Sequence, residues 1–171
     1  LDVRCQEVIT EILLGAFPDH AVVGEEGDSG AADAEWQWIV DPIDGTVNYF
    51  FGIPHFCVSI GCQVNGVLEH AVIYDPVKDE LFTADRGAGA TLDGKRMRVS
   101  KTIHMRQTLL ATGFAYRKTG DVATHLPVFN RLLSASGDIR RAGSAALDLA
   151  YVAAGRLDGF WEMGLAPWDM A

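Results

Sequence analysis

The segment that most limits how this chain can fold is Trp36-Gln37-Trp38-Ile39-Val40, followed at once by Asp41-Pro42-Ile43-Asp44-Gly45-Thr46. An apolar run of this length predicts a buried strand over 36–40. The Asp-Pro and Asp-Gly pairs behind it predict a sharp turn. Two carboxylates and the Ile43 carbonyl then share one turn, an arrangement that suits a hard cation with oxygen ligands. Gly45 permits close approach of backbone to a ligand. Gly45-Thr46 opens a helix whose first N–H groups can receive an anion. The same residues also suit a plain turn, so the segment by itself leaves both readings open.

The rest of the chain supplies hairpins and helices. Val3, Val8, Ile9, Ile12, Leu13 and Phe17 recur three and four apart, which predicts an amphipathic helix over 1–16, ended by Gly15 and Pro18. Val22-Val23 predicts a short strand leading into Gly24-Glu25-Glu26, and 27–35 reads as a polar surface loop. Strands over 57–64 and 67–74 are joined by Asn65-Gly66, a strong hairpin signal. A strand over 81–84 continues the sheet, and Asp93-Gly94 joins a second hairpin from 91–92 and 97–99. Strands follow at 109–112, 138–141 and 157–161. Helices follow at 122–134 and 144–154, and Pro167 marks another helix start. The order predicts an α+β chain of one domain over 1–171 rather than a strict βαβ repeat.

Charge and cysteine content narrow the function. Fourteen basic and 23 acidic residues give a formal charge of −9. That argues against a nucleic-acid partner and fits a protein that collects cations. Cys5, Cys57 and Cys62 make neither a disulfide framework nor a zinc pattern, so a reducing, cytoplasmic setting is expected. Cys57 and Cys62, five apart in one strand, point to opposite faces. No apolar stretch approaches membrane-spanning length. The five histidines are scattered and are assigned no catalytic role. A helix already under way at Leu1 and an abrupt stop at Ala171 give the expectation of a chain truncated at both ends.

Two further acids belong with the first segment. Glu25 ends a strand sixteen residues before Asp41, and Asp169 sits in Pro167-Trp168-Asp169 at a helix start. If Glu25, Asp41, Asp44 and Asp169 converge, their repulsion raises some of their pKa values until cations neutralise them. Gly24-Glu25-Glu26, Trp38 to Tyr49, Gly143-Ser144-Ala145-Ala146-Leu147, Trp161-Glu162-Met163-Gly164 and Trp168-Asp169-Met170-Ala171 occur in this order. Together they resemble the inositol monophosphatase family of Mg²⁺-dependent, lithium-sensitive phosphatases, over nearly the whole chain.

The resemblance implies a layered αβαβα fold, a homodimer, and two to three Mg²⁺ per subunit. Glu25, Asp41 and the Ile43 carbonyl match ligands of one metal, and Asp41, Asp44 and Asp169 those of a second. Thr46 matches the residue that orients the attacking water, and Asp2 the acid paired with it. The Gly45 and Thr46 amides match a phosphate cradle. Asp44, Ser144, Ala145 and Glu162 match positions near the sugar alcohol. The implied reaction is hydrolysis of inositol 1-phosphate, a small-molecule phosphate ester, by activated water. The alternatives are a related phosphatase acting on fructose 1,6-bisphosphate, NADP or a nucleotide 3′-phosphate, and a catalytically silent assembly module on the same scaffold.

Overall fold

The structure is a computed structural model describing residues 1–114 and 121–171. An eight-stranded sheet fills the first two thirds. In chain order its strands are β1 Ala21–Gly24, β2 Gly27–Ser29, β3 Trp36–Asp44, β4 Cys57–Val64, β5 Val67–Asp75, β6 Glu80–Asp85, β7 Gly89–Leu92 and β8 Lys95–Arg96. Their order across the sheet is β2-β1-β3-β4-β5-β6-β7-β8, antiparallel except for the β1–β3 pair. The β4–β5 turn has Asn65 at φ 50 and Gly66 at φ 78, the two positive values that a tight hairpin needs.

A second sheet holds β9 Leu109–Thr112, β10 Asp138–Arg140 and β11 Gly159–Trp161 in the order β10-β9-β11. Both of its pairings are parallel. Parallel neighbours need a crossover, and helices α3 Asp121–Ala135 and α4 Ala145–Ala153 provide it. The C-terminal third is therefore βαβ in character, while the chain as a whole is a mixed, largely antiparallel α+β fold as expected. Its strands of three or four residues are too short to show a period.

Helices lie on both faces of the large sheet. Gly24, paired with Val40, faces α1 (Asp2–Ala16): a Cβ on Gly24 would stand 2.2 Å from the Gln6 amide oxygen. Gly61, whose partner Ile39 is the neighbour of Val40, faces Ala171 at the end of α5 (Pro167–Met170) on the other side. Alternate strand residues point to opposite faces, so α1 and α5 flank the sheet. Beyond the small sheet, His125 and Phe129 of α3 pack on Trp161 at 6.1 and 6.5 Å between ring centroids. The layering is α1, large sheet, α4 with α5, small sheet, α3, which is the αβαβα arrangement expected.

Several local expectations are corrected. The loop over 27–35 contains β2, because Gly27 lets the chain fold back on β1. The last hairpin strand is Lys95–Arg96 rather than 97–99. The strand predicted to stop at Val40 continues to Asp44, with a bulge between Asp41 and Asp44. On α1 the packing face is turned from the apolar stripe. Gln6 is the buried residue, while Val3, Val8 and Ile12 are exposed. Gln6 holds β2 by donating to Gly27 O at 2.7 Å and accepting from Glu26 N at 3.0 Å. Cys57 and Cys62 lie on opposite faces of β4 and both are buried.

Leu147 is fully buried among Cys57, Phe82, Ala146 and Ala150, with Ile73 and Tyr151 beside them. This cluster seats α4 on the large sheet. Leu147→Ala should lower unfolding free energy by about 2–5 kcal/mol, measured by urea denaturation; a loss under about 1 kcal/mol would contradict this packing.

Candidate metal and phosphate site

The site forms where the carboxyl ends of β3, β9 and β11 meet the starts of α4, α5 and a short helix, α2 Thr46–Phe50. The bulge in β3 brings Asp41 and Asp44 round, and both are buried. Asp169 joins them from the first turn of α5. One carboxylate oxygen from each of Asp41, Asp44 and Asp169 lies within 4.8 Å of the others. Oxygen donors at that spacing fit one hard cation.

Each acid is held by local donors. Asp41 Oδ1 accepts from Ile43 N at 3.0 Å. Asp44 Oδ2 accepts from Ser144 Oγ at 2.6 Å and Ala146 N at 2.8 Å, and Oδ1 accepts from Ala145 N at 3.3 Å. Asp44 thus rests on the N-terminus of α4, where the helix dipole favours an anion. Asp169 Oδ2 accepts from Ala166 N at 2.6 Å.

Electrostatics show what these donors leave uncompensated. Burial pushes Asp41 up to about 9, with Asp44, Glu25 and Asp169 adding to the rise and the Ile43 amide opposing it. Burial also raises Asp44, against the donors from Ser144, Ala146 and Ala145. Asp169 is raised by burial as well. The donor set is therefore short of positive charge, and a bound divalent cation fits that deficit.

The remaining predicted residues are placed unevenly. Glu25 is exposed and stands outside the trio of close carboxylates, although its charge reaches Asp41. Its N–H donates to Val40 O at 3.1 Å. Thr46 Oγ1 donates to the Ile43 carbonyl at 3.1 Å. Asp2 is the first residue of α1, and no hydrogen bond joins it to Thr46 among the described residues. Gly45 has φ 99, and a Cβ there would press on His55 O at 3.1 Å. Ser144 and Ala145, read from the sequence as sugar contacts, both donate to Asp44.

A cavity of about 370 Å³ joins Asp44, Gly45, Thr46, Ser144, Glu162 and Asp169. Glu162 reaches it over Gly113, where a Cβ would lie 1.9 Å from its carboxylate. Its carboxyl is raised by burial, and Arg141 works against the rise. Arg141 and Asp148 also line this cavity; the sequence reading missed both. Asp148 had a signal, being the only ionisable acid or base among the apolar and small residues of α4 apart from Tyr151. Arg141 had none, as one of two adjacent arginines at a strand end.

The raised acids give a pH prediction. Asp41 moves from 3.8 to about 9 on folding without cations. A raised carboxyl stabilises the fold fully below its unfolded value and loses that contribution as pH rises through the folded one. The cation-free protein should therefore lose thermal stability between about pH 4 and pH 9. Mg²⁺ should reduce the loss, and Asp41→Asn should flatten it. Melting curves in chelator and in Mg²⁺ check this; a flat cation-free profile would contradict it.

Comparison with known proteins identifies the scaffold. The family model described as the inositol monophosphatase family matches residues 1–171. The protein called Nus factor SuhB from Pseudomonas aeruginosa is 48% identical over 176 residues, covering 100% of this chain and 65% of that relative. The chain thus spans just under two thirds of that relative's length. The crystal structure of extragenic suppressor protein SuhB from Bartonella henselae superposes with a TM-score of 0.94 at 43% identity, covering 99% of this chain and 66% of that one. The inositol monophosphatase from Anabaena sp. PCC 7120 gives a TM-score of 0.90 at 45% identity, covering 99% and 68%. With a family model matched from end to end and the same fold in these relatives, the chain belongs to the inositol monophosphatase family.

Proposed function

We propose that the protein is a Mg²⁺-dependent phosphate monoester hydrolase that converts inositol 1-phosphate to inositol and phosphate. The observation that carries this reading is the convergence of Asp41, Asp44 and Asp169 within 4.8 Å beside the cavity. Asp41, Asp44 and Asp169, with Glu25 and the Ile43 carbonyl, would hold two to three Mg²⁺. Mg²⁺ held by these residues would supply charge to offset the phosphate dianion and would lower the pKa of a water molecule.

The chain's own groups do the rest. The Gly45 and Thr46 amides hold phosphate oxygens at the start of α2. The Thr46 hydroxyl accepts the attacking water's hydrogen and sets its direction. For the proton to pass on to Asp2, that hydroxyl must exchange the Ile43 carbonyl for the Asp2 carboxylate. Asp44, anchored by Ser144 and Ala145, keeps the leaving-group side of the site rigid. Glu162 accepts from a hydroxyl of the polyol. In this reading the active unit is a homodimer working in the cytoplasm on a small soluble ester.

A second reading rests on the name Nus factor carried by the Pseudomonas aeruginosa relative. On it, the same scaffold serves as an assembly module. The acidic trio favours hydrolysis, since an assembly surface has no need of three close, mutually repelling carboxylates, two of them buried.

The test is phosphate release by the full protein from inositol 1-phosphate, fructose 1,6-bisphosphate, NADP and a nucleotide 3′-phosphate, with and without Mg²⁺ and Li⁺. Inositol 1-phosphate should be preferred, Mg²⁺ required and Li⁺ inhibitory. Asp41→Asn should lower kcat about 100-fold or more, and Glu162→Gln should raise KM for the polyol ester more than it weakens Mg²⁺ binding. Mg²⁺-independent turnover, or an unimpaired Asp41→Asn, would overturn the reading.

A further inference from the structure

Asp148 is a buried acid that the proposed reaction leaves without a task. It sits one turn into α4, four residues after the cap Ser144, and is 3% exposed. Its carboxylate lines the same cavity as Asp44 and Glu162. A capping role is already filled: the Ser144 hydroxyl accepts from Leu147 N at 3.4 Å. Among the described residues, no backbone or side-chain group donates a hydrogen bond to the Asp148 carboxylate. Burial raises it to about 7, with Asp44 and Glu162 adding to the rise and Arg141 opposing it. An acceptor on a cavity wall with no donor from the protein itself is placed to take one from a ligand.

The spacing of α4 explains the placement. Ser144 and Asp148, four apart, fall on one side of the helix. The Ser144 end of that stripe fixes Asp44, and Asp148, one turn on, lines the same cavity. Glu162 stands on another wall over Gly113. Two carboxylates with Arg141 near both suit a ligand that donates several hydroxyl hydrogens, and they repel a second phosphate.

We propose that Asp148 is a substrate-recognition residue that accepts a hydroxyl hydrogen from the polyol part of the ester, so that the site selects polyhydroxylated monophosphates over hydroxyl-poor ones and over bisphosphates. This rests on the hydrolase reading of the same cavity, and it adds a residue that reads the alcohol rather than the phosphate.

The experiment compares the full protein with Asp148→Asn and Asp148→Ala in Mg²⁺, using myo-inositol 1-phosphate and phenyl phosphate. Asp148→Ala should reduce the preference in kcat/KM for the inositol ester by about 10- to 100-fold, the range for losing a charged hydrogen bond. The Asn variant, which keeps an acceptor oxygen, should lose less. At pH 8 the Tm of Asp148→Asn should equal or exceed that of the parent, because an uncompensated charge has gone. An unchanged preference in both variants, or a lowered Tm with equal losses on both esters, overturns the proposal. If the parent protein hydrolyses neither ester, the hydrolase reading fails instead. Calorimetric binding of myo-inositol 1-phosphate against inorganic phosphate then judges Asp148: a preference lost in Asp148→Ala supports it, and an equal preference overturns it.

Discussion

The contact on which the rest of the structure depends is the seat of Asp44 on the first turn of α4. It joins residue 44, at the end of an interior strand of the large sheet, to residues 144–146 in the layer between the sheets. Buried carboxylates need donors, and here they come from the Cys57 thiol, the Ser144 hydroxyl and two amides that a helix start leaves unpaired. The bonds from residues 144–146 also fix the direction of α4. That direction sets the side of the cavity on which Asp148 lies, and Leu147 pins it from the core.

Around this contact the molecule carries a local electrostatic deficit. Asp41, Asp44, Asp169, Glu162 and Asp148 all have raised pKa values, and burial is the leading cause for each. Backbone donors and Arg141 offset only part of this. The formal charge of −9 is thus unevenly spread, with buried acids gathered where the carboxyl ends of strands meet helix starts. A fold can tolerate such a cluster when the core elsewhere is sound, and function is the usual reason for keeping it. Two glycines make room for it: Gly45 at positive φ, and Gly113 beneath the Glu162 carboxylate.

Membership in the inositol monophosphatase family and similarity to proteins named SuhB point to the same scaffold. The first names a family and the second, Nus factor SuhB, a relative. The fold gathers Asp41, Asp44, Asp148, Glu162 and Asp169 around one cavity.

Much of this was legible in the sequence, for physical reasons that are local. Asn65-Gly66 and Asp93-Gly94 dictate their hairpin turns because few residues adopt positive φ. Trp36 to Val40 read as a strand, though only its Ile39-Val40 end is buried and Trp36 is exposed, and Asp41, Asp44 and Asp169 stood out as acids at the ends of elements. Tertiary structure decided the rest. Whether β3 ended at Val40 or ran on to Asp44 depended on pairing with β4, which a single segment does not contain. The packing face of α1 was set by Gln6 reaching Gly27 rather than by the apolar stripe. The parallel pairing of β9, β10 and β11 rested on helices that bring distant, very short strands together. Ser144 and Ala145 proved to hold Asp44, a partner a hundred residues away, and Asp148 became visible as a wall of the cavity. In each case the deciding contact is long-range, and its free energy comes from burial that exists only once the layers have closed.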